Sequence, residues 1–153
     1  MNERIDWDRL WAAAREAQSH AYAPYSGVHV GAAVLDADGR VFAGANVENA
    51  SFGLTICAER VAAAAAVSAG SRRFLLAVVV ADTPDPPLPC GACRQFLAEF
   101  ATGLVAAEGV GGQVTVPLAE LLPHAFAADQ LPPDRARAPG RRKRPASGGG
   151  QAG

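Results

Sequence analysis

Residues 57–60, Cys-Ala-Glu-Arg, and residues 89–93, Pro-Cys-Gly-Ala-Cys, determine how the rest of this sequence is interpreted. They supply three thiolates and one carboxylate, which belong to Cys57, Cys90, Cys93 and Glu59. Three thiolates can hold a zinc ion and leave its fourth position open for water, as in catalytic zinc sites, whereas structural sites usually close all four positions. Because the carboxylate lies two residues after the first thiolate, it can act on that water without binding the metal. The two stretches therefore predict a catalytic zinc site.

Each stretch lies at the start of a predicted helix. The Ala-rich segment after Cys57 predicts a helix over residues 58–69, and helical spacing returns over residues 91–100. Helix N-termini present free N–H groups and a partial positive charge, and both favour thiolate over thiol. Two helix starts that face each other would gather the three sulfurs around one ion. Since three thiolates on Zn²⁺ leave a net negative charge, we expect Arg60 to offset it by hydrogen bonding a sulfur.

The remaining pattern predicts the order helix, strand, strand, helix, strand, helix, strand, strand. An amphipathic helix is predicted over residues 6–21, strands over 29–35, 41–45, 75–81, 104–107 and 114–116, and a short helix over 119–122. Residues 36–39 predict a hairpin turn, and residues 46–55 and 82–89 predict loops. The near-continuous apolar run at 75–81 is typical of a central strand buried on both faces. The fold class is therefore α/β, with three α/β/α layers around a mixed central sheet of about five strands.

Length and charge predict one folded domain and a tail. The chain has 153 residues, half of them hydrophobic, and contains neither a membrane-length apolar run nor a signal peptide's apolar stretch, so we expect a soluble, cytoplasmic protein. Residues 132–153 are rich in Pro, Arg and Gly and carry six basic residues against Asp134 alone, so we expect them to be disordered. Residues 1–131 form the predicted domain. Its net negative charge argues against a broad phosphate-binding surface and suits a small uncharged substrate.

Three other interpretations of these features stay open at this point. The spacing from Cys90 to Cys93 also occurs in redox pairs, although a redox pair needs neither Cys57 nor Glu59. A structural zinc site could be completed by one of the histidines, which are His20, His29 and His124. The basic run at 141–144 could bind RNA phosphates, and deleting residues 132–153 would distinguish that role from an unselected extension.

Six segments together resemble one enzyme family. They are residues 22–26 (Tyr-Ala-Pro-Tyr-Ser), 30–33 (Val-Gly-Ala-Ala), 46–50 (Asn-Val-Glu-Asn-Ala), 57–60 (Cys-Ala-Glu-Arg), 89–95 (Pro-Cys-Gly-Ala-Cys-Arg-Gln) and 121–123 (Leu-Leu-Pro). On these segments the chain resembles the small, homotetrameric, zinc-dependent cytidine deaminases, from about Asp6 to Leu131. The resemblance implies a cytidine-deaminase-like fold and hydrolytic deamination of cytidine and deoxycytidine to uridine and deoxyuridine in pyrimidine salvage. The alternative within the same chemistry is a blasticidin-S-type or modified-nucleoside deaminase.

The resemblance also implies a role for each site residue. Cys57, Cys90 and Cys93 would bind one Zn²⁺ per subunit, and Glu59 would shuttle protons to and from a zinc-bound water. The substrate-binding residues would be Asn46 and Glu48 at the ribose hydroxyls, Phe126 stacking on the base from a neighbouring chain, and Ala58. The expected partners are a nucleoside and other copies of the chain, with the sites near subunit interfaces and no nucleic acid or membrane involved.

Two positions depart from the family pattern. Val28 stands where the family often has an aromatic residue, and Phe52 stands where a tyrosine is frequent. The first change removes a ring that would face the pyrimidine, and the second removes a hydroxyl directed toward the sugar. Losses of this kind are typically about 1 kcal/mol each, so we expect weaker substrate binding with the chemical step intact.

Overall fold

A mixed sheet of five strands forms the centre of the protein, and the computed structural model describes residues 5–132. The strands are β1 (Val30–Asp36), β2 (Val41–Ala45), β3 (Phe74–Ala81), β4 (Leu104–Gly109) and β5 (Gly112–Pro117). The helices are α1 (Trp7–Gln18), α2 (Ala58–Ser68), α3 (Gly91–Glu99) and α4 (Leu118–Leu121), with 3-10 turns at Phe52–Leu54 and Ala128–Gln130. The α/β class, the number of strands and the order of the main elements match the sequence prediction.

The strand order across the sheet is β2-β1-β3-β4-β5. Strand β1 pairs antiparallel with β2 and β3, β3 pairs parallel with β4, and β4 pairs antiparallel with β5. The parallel pair needs a crossover, and α3 with the loop before it provides one. As predicted, β3 is central, and all its residues except Leu75 are buried. This topology brings the loop after β3 to the end of the sheet at which α2 begins.

Helices cover both faces of the sheet and make three layers. On one face, α1 places Leu10, Trp11 and Ala14 against the strands. On the other face, Ala-rich α2 and α3 pack on the sheet around Phe74 and Leu97. Small side chains let α2 lie close to the sheet, because no long side chain separates the helix backbone from the strands. The three-layer prediction is therefore confirmed.

Two glycines allow the helices to approach the strands this closely. A Cβ atom on Gly31 would lie 1.9 Å from the Ala14 carbonyl oxygen in α1. A Cβ atom on Gly44 would lie 2.6 Å from the Ala62 nitrogen in α2. Because both obstacles are backbone atoms, a side chain at either position would push a helix away from the sheet.

Several element boundaries differ from the sequence prediction. Helix α1 ends at Gln18 rather than near residue 21, because the chain must be extended at Tyr22 to bridge Val47. The predicted loop at 46–55 contains that bridge, a second bridge from Val47 to Ile56, and a 3-10 turn. Isolated bridges have no sequence period, so the pattern did not reveal them. Strands β4 and β5 extend until Gly109 pairs with Gly112.

Within residues 5–132, every helix falls short of the length and apolarity that a bilayer span requires. The predicted disordered tail begins at Pro132, and its remaining residues lie outside the described part of the chain.

Asp36 is a buried carboxylate that ties the β1–β2 hairpin to the end of α2. Its side chain is 1% exposed and accepts hydrogen bonds from the backbone N–H groups of Asp38 (3.0 Å) and Arg40 (2.8 Å) and from Arg40 Nε (2.8 Å). The Ser71 hydroxyl, just beyond α2, donates to the same carboxylate. Burial opposes the charge, but these hydrogen bonds and the Arg40 charge hold the pKa of Asp36 below its ordinary value.

We expect Asp36→Asn to lower the free energy of unfolding by about 2 kcal/mol at neutral pH, because an amide cannot accept all these hydrogen bonds. The folded-state pKa is depressed, so this stabilisation is present above the unfolded pKa and is lost as pH falls through the folded pKa. Urea unfolding of wild type and variant at neutral pH and near pH 3 checks both statements: their difference should shrink in acid. The control is Asp38→Asn, whose carboxylate is 78% exposed. An equal loss in both variants would contradict the assignment.

Candidate active site

The three cysteines predicted to bind metal come together at the starts of two helices. Cys57 is the N-cap of α2, Cys90 is the N-cap of α3, and Cys93 lies in the first turn of α3. Their sulfur atoms all lie within 4.8 Å of one another, and the Cys57 and Cys90 sulfurs are 3.9 Å apart. The approach of the two helix starts thus joins ligands that are 33 residues apart in sequence.

This cluster fits a zinc ion with one open position. Tetrahedral zinc with Zn–S bonds of about 2.3 Å places its sulfur ligands about 3.8 Å apart. The Cys57 and Cys90 sulfurs are close to this spacing, at 3.9 Å. Within residues 5–132, the group of candidate metal ligands holds these three cysteines and no histidine. The ring atom Nδ1 of His29 lies 2.9 Å from Asp82 Oδ2. Because no histidine of the described residues joins the cysteine group, a structural zinc site closed by a histidine is not supported.

Contacts among the cysteines and Arg60 shift the pKa values of Cys57, Cys93 and Arg60. A hydrogen bond from Cys93, together with contributions from Arg60 and Cys90, lowers the pKa of Cys57 to about 5 against the effect of burial. The same hydrogen bond and burial raise the pKa of Cys93 well above its ordinary value. A low pKa at Cys57 favours its thiolate form, and thiolate is the form of cysteine that binds metal.

Glu59 lies beside the cysteines in the first turn of α2. Its side chain is buried, and the residue is only 5% exposed. Burial, and then the negative charge of Cys57, raise the pKa of Glu59 to about 7. A carboxyl group with such a pKa can both accept and donate a proton near neutral pH, as general acid–base catalysis requires.

Arg60 makes the contact with sulfur that the sequence suggested. Its Nη2 atom lies 3.8 Å from the Cys57 sulfur and 3.4 Å from the Thr55 carbonyl oxygen. The hydrogen bond to Cys57 raises the pKa of Arg60, so the guanidinium stays charged beside the thiolate. The side chain therefore offsets part of the negative charge of the cluster.

Two adjoining cavities lead to this cluster. The inner one has a volume of about 190 Å³, and its wall includes Asn46, Thr55, Cys57, Ala58, Glu59 and Leu88. The outer one has a volume of about 380 Å³ and is lined by Tyr25, Ser26, Glu48, Phe52 and Thr55. Thr55 borders both, so the two cavities are neighbours; they are together called the cleft, and its inner end has Cys57 and Cys90 in the wall. Thr55 and Leu88 were not among the predicted site residues, because nothing in their local sequence distinguishes them. Ser26 belongs to the segment 22–26 that carries the family resemblance, but it was not predicted as a site residue, because the sequence does not show its hydrogen bond to Glu48.

The other predicted site residues differ in where they lie relative to the two cavities. Asn46 and Glu48 line the inner and outer cavity respectively. Ala58 is fully buried and is the first residue of α2, where a backbone N–H has no partner within the helix. Phe126 is 58% exposed and borders neither cavity of its own chain, although Gln95 Nε2 holds its carbonyl oxygen at 2.8 Å.

Known proteins are similar to this chain in both sequence and fold. The chain is 46% identical over 132 residues to the cytidine deaminase of Sporosarcina psychrophila, an alignment that covers 83% of this chain and 96% of the relative. It is 43% identical over 138 residues to the cytidine deaminase of Mycobacterium tuberculosis, covering 86% of this chain and 97% of the relative. The crystal structure of cytidine deaminase from Burkholderia pseudomallei superposes with a TM-score of 0.75 at 44% identity, over 80% of this chain and all of that one.

A protein-family model matches about two thirds of the chain. Residues 6–108, which include the three cysteines and Glu59, match the model of the cytidine and deoxycytidylate deaminase zinc-binding region. The match covers more than half of the chain, and the relatives above are covered almost completely. The chain belongs to the cytidine and deoxycytidylate deaminase family.

Proposed function

We propose that this protein is a zinc-dependent cytidine deaminase, which hydrolyses cytidine and deoxycytidine to uridine and deoxyuridine and releases ammonia. The observation that carries the proposal is the cluster of three cysteine sulfurs with the buried Glu59 beside it, at the inner end of a cleft. The relatives named as cytidine deaminases, which match nearly the full folded part of the chain, support the choice of substrate.

In this proposal Cys57, Cys90 and Cys93 hold one Zn²⁺ per subunit. When bound, zinc supplies the Lewis acidity that makes water a usable nucleophile at neutral pH. Arg60 keeps the cluster from becoming too electron-rich by donating to Cys57. The helix starts of α2 and α3 add positive potential at the same point, because their first N–H groups are free.

Glu59 moves the protons of the reaction. Its carboxylate accepts a proton from water as the water oxygen bonds to C4 of the cytosine ring, and it passes that proton to ring nitrogen N3. It then carries a second proton from the new hydroxyl to the amino group, so that the C4–N bond breaks and ammonia leaves. The buried position and raised pKa of Glu59 suit a group that must be base and acid in turn.

The cleft has room for a base and a sugar in sequence. The inner cavity would take the cytosine ring, with the free N–H of Ala58 near it. The outer cavity would take the sugar, with Glu48 at its hydroxyl groups and Asn46 approaching them from the wall of the inner cavity. These ribose-directed residues favour ordinary nucleosides over blasticidin S.

The direct test is to follow cytidine, deoxycytidine and blasticidin S side by side by ultraviolet absorbance, with zinc content measured on the same sample. We expect turnover of the two nucleosides, about one zinc per chain, and loss of turnover when a chelator removes the metal. Restoring zinc should restore activity. Protein that is fully active without metal, or active only on blasticidin S, would overturn the proposal.

We also propose that the enzyme is a cytoplasmic homotetramer that serves pyrimidine salvage through residues 1–131, with no nucleic-acid or membrane partner. Several large apolar side chains near the cleft are exposed in the single chain, among them Tyr22, Tyr25, Phe52, Leu54 and Ile56.

A second copy of the chain would cover such a surface and bring its Phe126 toward the base. Light scattering gives the assembly size, and Phe126→Ala should raise KM without dissociating the tetramer if the ring stacks on the substrate.

The Val28 departure gives a prediction about substrate affinity. We expect Val28→Phe to lower KM for cytidine by about fivefold, because an added ring can stack on the pyrimidine, and to leave kcat within about twofold. Steady-state kinetics on cytidine measure both constants. Val28→Ala serves as the control, since it changes the size of the side chain without adding a ring. An unimproved KM in the phenylalanine variant would remove the argument that a missing ring weakens binding.

A further inference from the structure

The segment from Tyr25 to Val30, which leads into β1, is held in place by two side chains that follow β2. Glu48 accepts hydrogen bonds from the Tyr25 amide (3.0 Å), the Ser26 amide (3.1 Å) and the Ser26 hydroxyl (2.6 Å). Asn46 accepts one from the Val30 amide (2.9 Å) and donates one to the Val28 carbonyl oxygen (2.9 Å). The two residues expected at the sugar are thus already bonded to the wall of the cleft.

The two oxygens of Glu48 are not equally occupied. Oε1 accepts both backbone amides, whereas Oε2 accepts the Ser26 hydroxyl alone. Since each carboxylate oxygen has two lone-pair positions, Oε2 keeps one that can receive a hydroxyl group from a ligand. Glu48 and Ser26 both line the outer cavity, so this free position lies beside the space proposed for the sugar.

The Ser26 hydroxyl is itself fixed from a second side. It accepts a hydrogen bond from the Val28 amide at 3.0 Å while it donates to Glu48. The turn between them is possible because Gly27 adopts a φ of +70°, which few other residues adopt readily. A hydroxyl with one donor and one acceptor in place cannot rotate away, so Ser26 holds the Glu48 carboxylate in one orientation.

We propose that Ser26 is a positioning residue for deamination, whose hydroxyl orients the Glu48 carboxylate toward the sugar hydroxyls of the substrate. The inference rests on the proposed function and assigns Ser26 a role through Glu48 rather than contact with the reacting atoms. The Ser26 hydrogen bonds also lower the pKa of Glu48, which keeps its carboxylate charged and ready to accept. Without the hydroxyl, the two backbone amides still hold Oε1, but Oε2 loses its partner and its position is less well defined.

The first experiment separates binding from chemistry. Ser26→Ala should raise KM for cytidine by about fivefold to tenfold, the effect of one well-placed hydrogen bond, with kcat within about twofold of wild type. Ser26→Thr keeps the hydroxyl and should restore most of the affinity. The control is Ser19→Ala at the end of α1, whose hydroxyl donates to the Glu16 carbonyl oxygen and should not affect KM. An unchanged KM in Ser26→Ala would overturn the proposal.

A second experiment tests whether Ser26 acts through Glu48. In a Glu48→Ala background, Ser26→Ala should change KM by less than about twofold, because the carboxylate it orients is absent. Likewise, Ser26→Ala should leave the inhibition constant of 2′,3′-dideoxycytidine unchanged, because that ligand lacks the 2′ and 3′ hydroxyls from which Glu48 would accept a hydrogen bond and keeps only the 5′ hydroxyl. Additive effects of the two substitutions, or an equal loss of affinity for dideoxycytidine, would show that Ser26 supports the cleft wall and not the carboxylate. Absence of any cytidine turnover in wild type would instead refute the proposed function.

Discussion

Replacing Glu59 by glutamine should lower kcat for cytidine by about 10²- to 10⁴-fold, the contribution typical of a positioned general acid–base group. The amide has the same shape and occupies the same buried place in the first turn of α2. It cannot accept a proton from water or return one to the leaving amine. Because Glu59 is not among the three candidate metal ligands, we expect zinc content to stay at the wild-type value.

Parallel measurements make this result specific. Turnover by absorbance, zinc by elemental analysis and substrate binding by calorimetry should show loss of the first alone. Glu99→Gln, at the exposed end of α3, is the matched control and should keep wild-type turnover. An active Glu59→Gln enzyme would exclude Glu59 as the proton shuttle. Loss of zinc in that variant would instead give Glu59 a part in holding the metal.

The second large effect is expected for Gly44→Ala in β2. The added methyl group would lie 2.6 Å from the Ala62 nitrogen and 2.7 Å from Val61 Cγ1. The valine side chain can turn, but the helix backbone cannot yield without moving α2 as a whole. Overpacking of this kind costs about 1–3 kcal/mol, and contact with a backbone atom places Gly44→Ala at the upper end of that range. Chemical unfolding measures the loss.

Gly44→Ala should also disturb the geometry of the three cysteines. Helix α2 carries Glu59 and follows Cys57, so a displaced helix separates Cys57 from the two cysteines on α3. We therefore expect Gly44→Ala to release zinc faster to a chelator, even under conditions in which the protein remains folded. Gly53→Ala is the control for stability, since a Cβ there meets nothing within 4 Å. Unchanged stability and zinc release in Gly44→Ala would show that α2 does not rest on β2 as closely as described.

Much of the fold followed from local patterns. The apolar run at 75–81 predicted a central strand, and β3 lies between β1 and β4 with nearly every residue buried. The Ala-rich stretch after Cys57 predicted α2, which ends within one residue of the expected position. In both segments one pattern of side chains continues over the whole element, so the local sequence is sufficient to predict the type of secondary structure. Helix α1 was predicted too long because its end is set by a bridge between Tyr22 and Val47, which its own sequence does not contain.

The candidate active site also has one part that the sequence predicted and one part that only the structure revealed. Cys57, Glu59, Cys90 and Cys93 could be recognised because their chemistry depends on residue type and short spacing. The hydrogen bonds of Asn46, Glu48 and Ser26 could not, because they join the segment before β1 to the segment after β2. The link from Asp36 to Ser71 spans 35 residues and was equally hidden.

The sequence by itself determined the α/β class and the family and predicted the metal ligands and the proton-transferring acid, since these depend on side-chain chemistry, short motifs and periods within single elements. Only the tertiary structure decided that Glu48 already bonds the cleft wall, that Ser26 fixes its free oxygen, and that Gly44 sets the distance of α2 from the sheet. The reason is that a hydrogen bond or a close backbone approach depends on separations of a few tenths of an ångström between segments distant in the chain. Such separations arise only when the whole core has packed.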